Sequence, residues 1–261
     1  MSLLEAFWLG IVQGLTEFLP VSSSGHLALF QQLLGGVPGE DLLFEVGVHV
    51  ATLLAILWFY RRRIASLCTG CLGGDPAAWR YVGLLALATV PAAALGLLAR
   101  GPIEASFDNP AVIGVGLVLT GTALFTTRFS IRTARALEPG VWVALLIGCA
   151  QALAIFPGIS RSGATVAAAL ALGVAPLAAA EFSFLLGVVA ITGAALLSLP
   201  DFAAQPAASW TAFSVGFAAA LVAGLVALVA FVRILERRSF YVFAYYDWAL
   251  GAAVIAWLAL A

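Results

Sequence analysis

The chain has 261 residues, 63% of them hydrophobic and only 10% charged, with twelve arginines, thirteen acidic residues and no lysine. A soluble domain is about 45–50% apolar and about 25% charged, so this composition excludes a soluble globular protein and points to one dissolved in lipid. A net charge of −1 with no basic tail leaves no footprint for nucleic acid, and residues 1–10 carry Glu5 but no arginine, unlike the start of a cleaved signal peptide.

A transmembrane helix takes roughly 20 mostly apolar residues. In chain order, residues 1–34 open with an apolar run that breaks around Pro20 and Ser22-Ser23-Ser24-Gly25, so neither half crosses comfortably. Glu40-Asp41 reads as a solvated loop, and spans follow at 43–60, 81–99 and 110–127. Residues 141–174 break in the same manner at Pro157-Gly158, after which spans follow at 176–199, 209–232 and 240–261. Trp8, Trp58, Trp79, Trp142, Trp210 and Trp248 mostly sit near span ends, where an interfacial belt is expected. Cys68 and Cys71 lack the further ligands zinc would need in a chain with two histidines, and read as two thiols beside a loop.

Arginines near span ends concentrate on the cytoplasmic side, and they test whether the two broken segments cross. Arg61, Arg62, Arg63 and Arg80 mark one loop, Arg128, Arg132 and Arg135 a second, and Arg233, Arg237 and Arg238 a third. All three lie on one side only if residues 141–174 dip in and return to the face they left. By the same logic residues 1–34 form a hairpin from the outer face. The expected fold is therefore all-α: six transmembrane helices plus two re-entrant helical hairpins in a single membrane domain.

The hairpin tips align without a gap at a constant offset of 138, Gln13-Gly-Leu-Thr-Glu-Phe-Leu-Pro-Val-Ser-Ser-Ser-Gly-His26 over Gln151-Ala-Leu-Ala-Ile-Phe-Pro-Gly-Ile-Ser-Arg-Ser-Gly-Ala164. Opposite directions of approach make this an inverted-topology repeat, about 1–127 and about 141–261, whose broken helices characteristically meet near the membrane midplane.

Irregular backbone at that depth is tolerated where protein or water satisfies its polar groups, so the tips are expected to border a wet cavity. The first tip brings Gln13, Glu17, Ser22, Ser23, Ser24 and His26; the second brings Ser160, Arg161, Ser162 and Thr165. A helix restarting near Ser160 to Ser162 offers unpaired N–H groups to an anion, and Arg161 offers a fork matched to phosphate oxygens. A serine hydroxyl, an imidazole and a cation are what phosphoryl transfer requires. Glu17 can orient His26, accept a proton or ligate a divalent ion with Gln13. The simpler alternatives are a kink with back-bonded Ser and Thr, and an Arg161 that only neutralises Glu17. Glu45 and His49, at i and i+4, read as a mutually satisfied pair, and Glu181 as a packing or capping contact. A transporter or flippase for a lipid phosphate would use the same architecture.

Gln13-Gly-Leu-Thr-Glu17 with Pro20-Val-Ser-Ser-Ser-Gly-His26, Pro157-Gly-Ile-Ser-Arg-Ser-Gly-Ala-Thr165 and Glu181-Phe-Ser-Phe-Leu-Leu resembles the bacterial undecaprenyl-diphosphate phosphatases of the BacA/UppP type. The resemblance implies removal of the terminal phosphate of a C55 polyprenyl diphosphate, to regenerate the carrier lipid of peptidoglycan synthesis. It implies dependence on Mg²⁺ or Ca²⁺, an inner-membrane location and a site facing the periplasm, and leaves a homodimer open. Residue by residue, it implies catalytic Glu17, Ser23, His26 and Arg161. Gln13, Ser22, Ser24, Gly25, Gly158, Ser160, Ser162, Gly163 and Thr165 are expected to bind substrate, and Glu17, with Gln13, the metal. Many members have Glu where this chain has Gln13, which cannot act as a base. The nucleophile stays open between Ser23, His26 and water.

Overall fold

The computed structural model describes residues 1–33, 42–198 and 210–260; the Glu40-Asp41 loop expected from the sequence lies outside them. In chain order the helices are α1 (Leu3–Phe18), α2 (Ser23–Leu33), α3 (Leu42–Phe59), α4 (Arg61–Leu72), α5 (Pro76–Leu98), α6 (Arg100–Phe107), α7 (Pro110–Ser130), α8 (Val141–Leu153), α9 (Arg161–Ala171), α10 (Pro176–Leu197), α11 (Trp210–Glu236) and, after a 3-10 turn at Phe240–Val242, α12 (Phe243–Leu260). Their starts are written locally. Proline opens α5, α7 and α10, where its missing N–H costs nothing, and Asp75 and Asn109 cap α5 and α7 by accepting from Ala77 and Ala111 N–H.

Among the described residues, five helices are long and apolar enough to cross a membrane: α5, α7, α10, α11 and the 3-10 turn continued by α12. The sixth expected span is α3, which bends by 73° into α4. Residues 61–72 are thus helix rather than the loop expected, and the free thiols Cys68 and Cys71 lie on α4. The chain belongs to the multi-pass, all-α class of membrane proteins.

Close backbone contacts fix how the helices run. A Cβ on Gly10 would lie 2.3 Å from the Gly216 carbonyl oxygen and one on Gly14 2.5 Å from that of Ala220, so α1 and α11 lie side by side and parallel. Phe44 fits against Gly216 and Ala55 faces Gly224, which makes α3 parallel to α11 as well. Likewise α8 runs parallel to α5, with Gly148 on Ala88 and Ile155 near Gly96. Gly114 meets Gly251 and Gly121 meets Ala244, so α7 and α12 are antiparallel. Small residues at these crossings let backbones touch, the usual solution where lipid removes the hydrophobic drive for helix association.

The arginine loops share one face. Arg63 donates to Glu181 at the start of α10 at 2.8 Å, and Arg80 pairs with Glu138 before α8. Glu181 is therefore a tie between elements, with the Tyr81 hydroxyl also donating to it. The parallel course of α3 and α11 brings the third arginine group, at the end of α11, to the same face. Residues 136 and 174 form an isolated bridge, with Arg135 and Ala136 N–H donating to the Gly173 carbonyl and Ala175 N–H to that of Ala136. The segment holding α8 and α9 thus returns to the face it left. At the opposite face, Gln31 near the end of α2 donates to Glu45 at the start of α3, which brings the end of α2 to the face where α3 begins. The two hairpins, entering from opposite faces, meet tip to tip.

Candidate active site

Where the tips touch there is almost no side chain between them. A Cβ on Gly25 would sit 3.1 Å from the Gly158 Cα, and one on Gly158 2.2 Å from the Ile113 carbonyl oxygen, at a left-handed φ of +88°. Gly158 N–H donates to Ser22 Oγ at 3.1 Å, and Thr120 threads the second tip by donating to the Gly158 carbonyl and accepting from Ser160 N–H, both at 3.0 Å. Ser22 itself adopts φ +68°, a conformation that disfavours non-glycine residues by roughly 1–2 kcal/mol.

The tips repeat one another in their hydrogen bonds. Ser22 Oγ accepts from Gly25 N–H and lies 3.4 Å from Ser24 Oγ; Ser160 Oγ accepts from Gly163 N–H and lies 3.2 Å from Ser162 Oγ. Ser160 is the N-cap of α9, which starts at Arg161 as the sequence suggested.

One carboxylate joins the two tips. Glu17, near the end of α1 and 8% exposed, accepts from Arg161 Nη2 through Oε1 at 2.5 Å. Its Oε2 accepts from Ser23 Oγ at 2.7 Å and Gln13 Nε2 at 3.1 Å, and lies 4.0 Å from His49 Nε2. The Arg161 guanidinium rests on Gly187 of α10, where a Cβ would come within 2.1 Å of Nη1, and Nη1 is 3.5 Å from the Ser183 carbonyl. A cavity of about 870 Å³ opens over this group. Glu17, Ser22, Ser23, Ser24, Ser160 and Arg161 line it, together with Gln31, Glu45, His49 and Gln151. It continues between small residues of α5 and α10 and reaches Glu104, Phe107 and Asp108 on the face opposite the arginine loops.

Several expected site residues stand behind the wall. His26 is buried with both ring nitrogens engaged, Nδ1 at 2.8 Å from the Ser22 carbonyl and Nε2 at 2.7 Å from the Tyr246 hydroxyl, and it stacks on the Tyr246 ring. Glu17 therefore does not orient it. Ser162 donates to the Leu19 carbonyl, Thr165 to that of Arg161 while lying 2.6 Å from Ser183 Oγ, and Gln13 is fully buried. Gly25, Gly158 and Gly163 are packing positions, the last tight against Ser160 and Pro20. The N–H groups expected to cradle an anion after the Pro157-Gly158 break are in good part committed: those of Gly158, Ser160 and Gly163 already have protein acceptors.

The Glu45–His49 expectation needs correction. Glu45 Oε1 accepts from Gln31 Nε2 at 2.7 Å, while His49 Nδ1 is 2.8 Å from the Glu45 backbone carbonyl and its Nε2 turns toward Glu17. His49 was legible only as an ionisable group within a span, a rarity that marks function. Gly187 and Ser183 were not assigned at all, because a lone glycine and serine in an apolar helix carry no signal until Arg161 is laid across them.

The donor set also bears on a metal. Among the described residues no three His, Cys, Asp or Glu side chains gather to hold an ion. Each oxygen of Glu17 already accepts from a protein donor, so the described residues do not fit an all-protein cage for Mg²⁺ or Ca²⁺.

A hydroxyl and a guanidinium thus converge on one carboxylate where the two hairpins of a multi-pass membrane protein meet, at the floor of a mostly apolar cleft. The sequence profile described as the bacitracin resistance protein BacA matches residues 6–253, and the chain belongs to that family. It is 40% identical to the undecaprenyl-diphosphatase of Alcanivorax borkumensis, over 99% of this chain and all of that protein. It is 39% identical to that of Syntrophotalea carbinolica, covering 98% and 99%, and 38% identical to that of Aromatoleum aromaticum, covering 96% and 93%.

Proposed function

We propose that this protein is an undecaprenyl-diphosphatase, hydrolysing the terminal phosphate of a C55 polyprenyl diphosphate to leave the monophosphate carrier lipid. The observation that carries the proposal is the convergence of Ser23 and Arg161, from opposite hairpins, on the single carboxylate of Glu17. Membership in a family whose relatives bear that name favours hydrolysis over a flippase using the same cleft.

In the mechanism the geometry supports best, Ser23 Oγ attacks the terminal phosphorus and its proton passes to Glu17 Oε2, its acceptor at 2.7 Å. The Oγ–P bond forms as the bond to the bridging oxygen breaks, and the lipid monophosphate departs as an anion. Water then cleaves the phosphoserine: Glu17 returns the first proton to Ser23 Oγ as the Oγ–P bond breaks, takes one from the attacking water, and passes it to the departing phosphate, which restores the carboxylate. Arg161 neutralises charge developing on the phosphoryl oxygens. His26, held between Ser22 and Tyr246, serves as a positioning residue for the first tip. A divalent cation accompanying the diphosphate would offset its charge beside Glu17 and Arg161.

The prenyl chain takes the cleft between α5 and α10, walled by Ala92, Ala93, Gly96, Ala190, Gly193 and Ala194. A mouth on the periplasmic side of the bacterial inner membrane belongs to the same reading, supported by the cavity's reach to the face opposite the arginine loops and the positive-inside rule. The halves 1–127 and 141–261 read as inverted repeats, supported by the exchanged parallel pairs α1 with α11 and α8 with α5. Phosphate release from a polyprenyl diphosphate by the purified protein tests the proposal. Wild type should be active and lose activity with chelator, Ser23→Ala and Arg161→Ala should fall to background, and normal turnover by either variant would sink the assignment.

A further inference from the structure

Gln151 is the counterpart of Gln13 in the second tip, and the two differ in one respect. Gln13 donates Nε2 to Glu17 one turn on, whereas one turn on from Gln151 the chain has Ile155. Gln151 is only 2% exposed, and among the described residues neither its Nε2 nor its Oε1 has a hydrogen-bond partner. Leaving a buried polar group unpaired costs roughly 1–3 kcal/mol, and native proteins seldom tolerate it without reason. The residue is also among those that line the cavity, on the same hairpin as Arg161 and Ser160.

We propose that Gln151 is a substrate-binding residue, donating its amide N–H to a phosphate oxygen of the bound diphosphate beside Arg161. The inference rests on the function proposed above and adds a ligand to it. Replacing the carboxylate position of the repeat by Ile155 releases the amide from intramolecular duty, so repeat one uses its glutamine to hold the proton acceptor and repeat two uses its own to hold the anion. An amide donor suits this place because it adds no charge beside Arg161 while satisfying oxygens that the guanidinium does not reach.

The test compares wild type, Gln151→Leu and Gln151→Glu in detergent, reading KM and kcat for phosphate release from a polyprenyl diphosphate. The unfolding midpoint is read with and without inorganic diphosphate as probe. Leucine removes two unpaired polar atoms at similar volume, so the midpoint without diphosphate should hold or rise. KM should increase about tenfold, the value of a hydrogen bond to a charged group, with kcat changed less. The stabilisation by diphosphate should shrink, and Gln151→Glu should weaken binding further through like charge. Wild-type KM in Gln151→Leu overturns the inference, and so does a lowered midpoint without diphosphate at unchanged KM, which would make the amide structural. An inactive wild type overturns the underlying function and this inference with it.

Discussion

Gly187→Ala separates the chemistry of this site from its fold. The added methyl group would meet Arg161 Nη1 at 2.1 Å and Cζ at 2.7 Å, where ordinary contacts begin near 3.4 Å. Because α10 is packed on α3, α5 and α9, its backbone is less free than the guanidinium, which must retreat by roughly 1 Å or more. That retreat strains the 2.5 Å bond to Glu17 Oε1 and moves the cation off the position where phosphoryl charge develops. Misplacement by about 1 Å can cost on the order of 100-fold in rate, equivalent to about 2.7 kcal/mol of barrier. The helix itself gains, since alanine is favoured over glycine by about 0.8–1 kcal/mol in a helix interior. The expected result is kcat/KM for polyprenyl diphosphate down by about two orders of magnitude with an unfolding midpoint equal to wild type or slightly higher. Near-normal kcat/KM would refute the claim that Gly187 seats the guanidinium, and a collapse of the midpoint would show that the backbone rather than Arg161 gives way.

Glu17→Gln should lose activity to background and, by stranding a buried Arg161, destabilise by about 3–5 kcal/mol in denaturant titration; the double variant Glu17→Leu, Arg161→Met should regain most of that stability with no activity. Ser22→Ala leaves the buried Gly158 N–H without an acceptor and should cost roughly 1–3 kcal/mol. Ser22→Gly should be less damaging by about 1 kcal/mol because φ +68° suits glycine, and the reverse order would remove the assigned strain. Gly193 borders the cleft with open space where a Cβ would go, so Gly193→Leu should raise KM several-fold for a C55 diphosphate and leave a short prenyl diphosphate unaffected. Equal effects on both would move the prenyl chain elsewhere.

The hairpins were legible because two independent constraints agreed: broken apolar segments too short to cross, and arginines that had to share a face. The Arg80–Glu138 and Arg63–Glu181 pairs and the bridge between residues 136 and 174 are those constraints in atomic form. The site was legible as a set of residue types and much less as an arrangement. Thr165, Ser162 and His26 look like ligands in sequence because hydroxyls and imidazoles at membrane depth are expensive. The structure spends them on Ser183, Leu19 and Tyr246, partners up to 220 positions away that no local pattern encodes. His49 went the other way: its i, i+4 spacing to Glu45 suggested a closed pair, but side-chain direction turned Nε2 toward Glu17 instead.

The aligned tips pair like hydrogen bonds with unlike chemistry. Ser22 and Ser160 occupy the same place and cap the same amide three residues on, so the scaffold is shared. The next position carries Ser23 in one tip and Arg161 in the other, and both donate to Glu17, whose own counterpart is Ile155. With a carboxylate in both tips, the cleft would present two negative charges to an anionic substrate and desolvate both in lipid. With a carboxylate in one tip only, nucleophile and cation are referred to a single acceptor, and the second glutamine has no carboxylate one turn on to bind. The Glu17/Ile155 and Ser23/Arg161 differences fall at positions that line the cavity, while Ser22/Ser160, Gly25/Gly163 and Phe18/Phe156, which build the tips, recur in both.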